Sequence, residues 1–146
     1  TFAPVDEKNI TEKKLFTEHF TITEECAAVI NRAKTMGVPT IPVGTTALRA
    51  LESAARNNRG DSLTWEGVSS VVSGANSTDL FVYPPYDFNV ADGLITNFHV
   101  PKSSLMLLVD ALLKHMGAKQ NILGLYQIAI REKLRFYSFG DGMLII

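Results

Sequence analysis

The chain has 146 residues, 46% of them hydrophobic and 20% charged, with a formal net charge of −1. That is enough for one globular domain with a core, and it excludes wholesale disorder. A single cysteine, Cys26, excludes an internal disulfide and any CxxC metal or redox pattern, which suits a cytoplasmic protein. No apolar run approaches the ~20 residues of a membrane-spanning helix.

The charge is unevenly placed. Residues 1–25 carry six acidic and three basic side chains, and residues 101–135 carry six basic and two acidic. Mixed charge on surface helices is the ordinary reading, and a basic patch that meets phosphates is the other.

Residues 1–5 are extended around Pro4, and residues 6–14 read as a charged loop or short turn. Leu15, Phe16, Phe20 and Ile22 predict a strand. Thr23 ahead of Glu24 and Glu25 predicts a helix cap with acids in the first turn, where the dipole favours them. That helix runs to Gly37, a residue suited to its left-handed close. Residues 38–43 are short, apolar and β-branched, and predict a buried strand.

Gly44-Thr45-Thr46 then opens a second helix. Its apolar face holds Ala47, Leu48, Leu51, Ala54 and Ala55. Arg49, Glu52 and Arg56 share the polar face, the last two at the i,i+4 spacing that pairs. A polar turn over 57–62, a weak strand over 64–72 and a loop over 74–79 follow. A strand over 80–83 halts at Pro84-Pro85, and 86–90 is again extended.

Leu94 and Ile95 start a strand that stops by Pro101. Ser103 or Ser104 caps the next helix, where Leu105, Leu108, Val109, Leu112, Leu113 and Met116 share a face. Met106 and Leu107 widen it, so cover on more than one side is expected. Residues 121–133 predict a further amphipathic helix through Ile122, Leu125, Tyr126 and Ala129. A Gly140-Asp141-Gly142 break precedes an apolar end. The alternation of strand and helix predicts the α/β class, a layered α/β/α domain with a mixed sheet.

The run Asp92 to Ser104 concentrates Thr96, Asn97, His99 and Lys102 between a strand and a helix, where α/β proteins hold ligands. Alternation on a strand would place Asn97 and His99 on one face, Thr96 and Phe98 on the other. His99 is the residue there that exchanges a proton near neutral pH without perturbation, although a lone histidine is more often structural. Asp92 and Asn97 add the paired donors and acceptors that a hydroxylated ligand needs. Lys102 suits a carboxylate or phosphate, or solvent.

Gly44, Thr45 and Thr46, with Arg49 one turn on, make either an ordinary helix start or a site for a carboxylate, phosphate or sugar. They are not a Walker A loop. Tyr83, Tyr86 and Phe88 either stack on a base or pack. Asp141 is a turn former, a ribose acceptor or an acid/base. His19 and His115 lack ligand partners at metal-binding spacing.

Several phrases act together: Thr1-Phe-Ala-Pro-Val, Val43-Gly-Thr-Thr-Ala-Leu-Arg, Asp79-Leu-Phe-Val-Tyr-Pro, Asp92-Gly-Leu-Ile-Thr-Asn-Phe-His-Val-Pro-Lys-Ser-Ser and Arg135-Phe-Tyr-Ser-Phe-Gly-Asp-Gly-Met. In collinear order over nearly the whole chain, they resemble the C-terminal half of the S-adenosylmethionine:tRNA ribosyltransferase-isomerases of queuosine biosynthesis. The resemblance implies an α/β portion over 1–146, with the amino-terminal segment and an inserted β-barrel domain absent. It implies transfer and isomerisation of the ribosyl part of S-adenosylmethionine onto 7-aminomethyl-7-deazaguanine in tRNA, in the cytoplasm. S-adenosylmethionine is then a substrate, and no cofactor or metal is implied.

On this resemblance His99, Asp92 and Asp141 are the catalytic candidates. Gly44, Thr45, Thr46, Arg49, Glu52, Tyr86, Thr96, Asn97, Lys102, Tyr137 and Gly140 are the substrate-binding candidates. Two departures stand out. The family's Glu-His-x-Met-His-x-Glu reads Glu12-Lys13-Lys14-Leu15-Phe16-Thr17-Glu18 here, so both histidines are replaced, and Pro-Gly-Tyr has become Pro84-Pro85-Tyr86. The alternative reading is a non-catalytic paralogue that binds a nucleotide or RNA.

Overall fold

Eight of the twelve residues of α4 (Ser104–His115) are buried, and much of the remaining chain is laid against this helix. The computed structural model describes residues 7–57 and 70–146. In chain order the other elements are α1 (Glu7–Glu12), β1 (Lys14–Ile22), α2 (Glu24–Thr35), α3 (Thr45–Asn57), β2 (Gly74–Leu80), β3 (Leu94–Asn97), α5 (Ile122–Arg131) and β4 (Gly142–Ile145).

Local chemistry sets the helix starts. The Thr23 hydroxyl accepts the Cys26 N–H at 3.1 Å, Ser103 Oγ accepts that of Met106 at 3.4 Å, and Asn121 Oδ1 accepts that of Gly124 at 2.9 Å. Each side chain satisfies a donor that the first helical turn leaves without a partner. Gly37 and Gly117 close α2 and α4 at φ of 67° and 69°, a conformation glycine adopts without penalty.

The larger core joins α4 to Leu48, Val82, Leu94, Phe98, Ile122, Tyr126, Ala129 and Ile145. β3 pairs antiparallel with β4, from Leu94↔Ile145 to Asn97↔Gly142, and on its other flank Val43 makes a parallel bridge to Ile95. β3 therefore has an antiparallel partner on one side and a single parallel bridge on the other, and the α/β class holds. Leu94, Thr96 and Ile145 are buried in this sheet, while Val43, Ile95 and Leu144 are exposed. A second ladder pairs β1 with β2 antiparallel, from Lys14↔Leu80 to Ile22↔Gly74. Near it Ile22, Ala27, Ala54, Ala55, Val71 and Val90 form a smaller core.

Several local expectations give way. Residues 38–43 form no strand beyond the bridge at Val43, and Val38 and Val43 are exposed. Pro39 and Pro42 lack the N–H groups that a ladder would use. Residues 74–79, expected as a loop, are most of β2, because β1 supplies the pairing that small polar residues do not advertise. Of the strand expected over 80–83, only Leu80 is extended, as the end of β2. Residues 7–12 are the short helix α1 rather than a loop. The polar turn over 58–62 and most of the weak strand over 64–72 fall outside the described residues, as do residues 1–6 and the Arg56 side chain.

Arg49 and Glu52, assigned to a polar outer face of α3, are buried at 2% and 0% exposure. Their partners explain the inversion. Arg49 donates from Nε to the Leu80 carbonyl at 3.1 Å and from Nη1 to Glu18 on β1. Glu52 accepts the backbone N–H groups of Asn89, Val90 and Ala91 at 2.9, 2.8 and 3.0 Å. Buried charge is tolerable only when partnered in this way.

Candidate active site

The end of β3 and the start of α3 are tied by main-chain bonds. Ile95 donates to the Pro42 carbonyl at 2.9 Å, and Gly44 donates to the Ile95 carbonyl at 2.8 Å. Gly44 sits at φ 91°, which glycine takes at no steric cost. Thr45 and Thr46 are thereby brought beside Thr96 and Asn97, and Pro101 then turns the chain into α4. The result is a cleft of about 740 Å³ lined by Gly44, Thr45, Thr46, Thr96, Asn97, Phe98, His99, Val100, Pro101, Lys102, Ser103, Leu105, Tyr137 and Ser138.

Its electrostatics favour an anion. Thr45 and Thr46 at the start of α3, Ser103 and Leu105 at the start of α4, and Lys102 line it, and none of the lining residues is acidic. Free N–H groups and the positive dipole end at each helix start attract a carboxylate or phosphate. Lys102 and Tyr137 hold left-handed backbone, at φ of 59° and 65°, where non-glycine residues are uncommon and cluster at functional sites.

His99 is buried, and its Nε2 lies 2.8 Å from the Thr96 hydroxyl. Burial disfavours the charged imidazolium and pushes the His99 pKa below the ordinary histidine value. Burial therefore holds the ring toward its neutral form. The expected alternation fails beyond Asn97. Thr96 and His99 meet, Phe98 is buried along with them, and Asn97 is exposed with its Nδ2 donating to the Asp141 carbonyl at 3.0 Å. The chain turns after β3 because the Phe98 carbonyl accepts from Tyr137 N–H at 2.9 Å and His99 N–H donates to the Tyr126 hydroxyl oxygen at 2.6 Å.

Of the residues singled out in the sequence, Gly44, Thr45, Thr46, Thr96, Asn97, His99, Lys102 and Tyr137 line one cleft. The others lie elsewhere and hold the scaffold. Asp92 accepts the Thr40 N–H at 2.8 Å and fixes the 38–43 segment to the start of β3. Arg49 and Glu52 bond inward as described, and the Tyr86 hydroxyl approaches Glu52 at 3.4 Å. Asp141 receives Arg135 N–H, Nε and Nη2 at 2.6, 3.0 and 3.0 Å. The Arg135 guanidinium and N–H hold its carboxyl at about 2, far from a group that trades protons at neutral pH. Gly140, at φ 100°, shapes the same turn. Sequence reasoning missed Tyr126 and Ser138. Tyr126 gave no separate signal, being one apolar position among several on α5. Among the described residues no three His, Cys, Asp or Glu side chains cluster as a metal site would.

The profile of the family described as "Queuosine biosynthesis protein" matches residues 1–145. The S-adenosylmethionine:tRNA ribosyltransferase-isomerase of Treponema denticola is 46% identical over 146 residues, covering 100% of this chain and 38% of the relative. That of Carboxydothermus hydrogenoformans is 44% identical, with 100% and 39% covered. The crystal structure of S-adenosylmethionine tRNA ribosyltransferase from Thermotoga maritima superposes with a TM-score of 0.69 at 32% identity, over 88% of this chain and 40% of that one. The chain thus spans well under half the length of these relatives. With a profile match over nearly every residue, it belongs to the queuosine biosynthesis protein family.

Proposed function

We propose that this chain is the part of an S-adenosylmethionine:tRNA ribosyltransferase-isomerase that holds S-adenosylmethionine and removes a proton from its ribosyl group. The acceptor is 7-aminomethyl-7-deazaguanine in tRNA, and the setting is the cytoplasm. The carrying observation is the convergence of His99, Asn97, Lys102, Tyr137 and the Gly44-Thr45-Thr46 helix start in one cleft. Its volume of about 740 Å³ suits a nucleoside-sized ligand.

The geometry supports a role for each residue. The neutral His99 imidazole takes the proton from the ribosyl carbon beside the sulfonium, whose positive charge acidifies that position. Asn97 supplies donor and acceptor groups to ribose or adenine. Lys102 and the two helix starts meet the methionine carboxylate or a phosphate of the tRNA. Adenine and methionine leave, and an epoxide-bearing modified base remains on the tRNA.

The test is release of methionine and adenine from S-adenosylmethionine in the presence of tRNA carrying the aminomethyl base. The chain is assayed alone and joined to the remaining portion of the Treponema denticola relative. Turnover by the joined protein that His99→Ala abolishes supports the reading, and full turnover in His99→Ala removes His99 from the mechanism.

A binding module without turnover is the second reading, favoured by Lys13 and Phe16 standing where the family carries histidines. Both lie outside the lining of the cleft, and Phe16 is exposed on β1. Calorimetric binding of S-adenosylmethionine or RNA without product release by the joined protein would favour that second reading.

A further inference from the structure

We propose that Tyr126 on α5 is a positioning residue for His99, ending β3 by taking the His99 backbone N–H and so turning the imidazole into the cleft. The proposal rests on the assignment of His99 to the reacting centre.

β3 pairs with β4 as far as Asn97↔Gly142. Continued as a strand, it would set Thr96 and His99 on opposite faces, since residues three apart alternate. Their side chains instead meet at 2.8 Å, so the backbone leaves the strand between them. Two main-chain groups are diverted there: the Phe98 carbonyl accepts from Tyr137 N–H at 2.9 Å, and the His99 N–H donates to the Tyr126 hydroxyl oxygen at 2.6 Å. A buried amide needs an acceptor, and here a side chain from a helix outside the cleft supplies it.

The hydroxyl is itself fixed. The Tyr126 ring meets Phe98 at 5.6 Å and 74° and Phe136 at 5.4 Å and 88°, the edge-to-face geometry that aromatic pairs prefer. Tyr126→Phe would keep the ring and its packing and remove the one atom that holds the His99 N–H.

The experiment is amide hydrogen exchange and imidazole ¹⁵N spectroscopy on the labelled 146-residue chain. In Tyr126→Phe the His99 amide should exchange about tenfold faster or more, while Leu108 and Leu112 in α4 stay within about twofold. The imidazole shifts should move toward a mixture of tautomers. Thr96→Val should do the converse, moving the ring shifts and leaving the His99 amide protected. Unchanged His99 exchange and ring shifts in Tyr126→Phe would overturn the proposal. So would equal acceleration at His99, Leu108 and Leu112, which would make Tyr126 a packing residue only.

In the joined protein, Tyr126→Phe should lower kcat about tenfold with KM within about twofold, as expected when only the reacting group is displaced. Full turnover in His99→Ala would sink the functional assignment and leave the spectroscopic result to decide the positioning claim by itself.

Discussion

Thr96 Oγ1 and His99 Nε2 lie 2.8 Å apart in a buried position, and burial holds the His99 pKa below its ordinary value. The unfolded chain takes up a proton near pH ~6.5 that the folded chain refuses. Stability is therefore fully present above about pH 6.5 and declines as pH falls from there toward the depressed folded value. Urea unfolding at mildly acidic and mildly alkaline pH reads this out. The wild-type midpoint should drop on the acid side, and His99→Gln should flatten that dependence.

Glu52 is expected to be the more sensitive structural position. Its carboxylate holds three consecutive backbone N–H groups and the Asn89 side chain amide, the last at 3.1 Å. Glu52→Gln turns one acceptor into a donor facing donors, at a cost of about 2–4 kcal/mol. Denaturant titration measures the loss, and hydrogen exchange at Val90 and Ala91 should rise with it. A change within about 0.5 kcal/mol would show that the loop is held by other contacts.

Arg49 joins α3 to both strands of the β1–β2 ladder, through Glu18 and the Leu80 carbonyl. Among the described residues its Nη2 is buried without a partner. Arg49→Met should cost about 3 kcal/mol by removing the buried guanidinium's bonds to Glu18 and to the Leu80 carbonyl. Adding Glu18→Gln should recover part of that loss, and a double-mutant cycle would show a coupling that independent sites lack.

Asp141, held at about 2 by Arg135, lends stability above its unfolded value near ~3.9 and loses it as pH falls from there to about 2. Acid unfolding of Asp141→Asn should be flatter across that window than wild type. At neutral pH the pH–rate profile of the joined protein should keep its shape, since Asp141 stays ionised throughout.

What the sequence disclosed and what it hid divide along a physical line. Thr23 and Ser103 announced their helices because a cap is a local bond. Residues 74–79 looked like a loop because β1, their partner, lies some fifty residues away. Arg49 and Glu52 looked solvated because Glu18, 31 residues away, and the 89–91 backbone, 37 to 39 residues away, are also remote. In the cleft, Gly44, Thr45, Thr46, Asn97, His99 and Lys102 stand out as polar or small residues at strand-to-helix junctions, whereas Tyr137 and the grouping of all of them rest on the family resemblance. Asp92, Asp141 and Glu52 had suitable chemistry, but each carboxylate is engaged with backbone N–H groups. Nothing local marks which carboxylates will be so engaged. Tyr126 was hidden for the converse reason, a polar atom on a residue that periodicity assigns to the core.

The cleft is drawn from three distant stretches: 44–46, 96–105 and 137–138. Contacts of such separation close long loops and form late. On the ribosome, then, the cleft stays open on one side while α3 and β3 emerge. Its wall is complete only after Tyr137 and Ser138 have left the exit tunnel, so an incompletely translated chain lacks part of the lining.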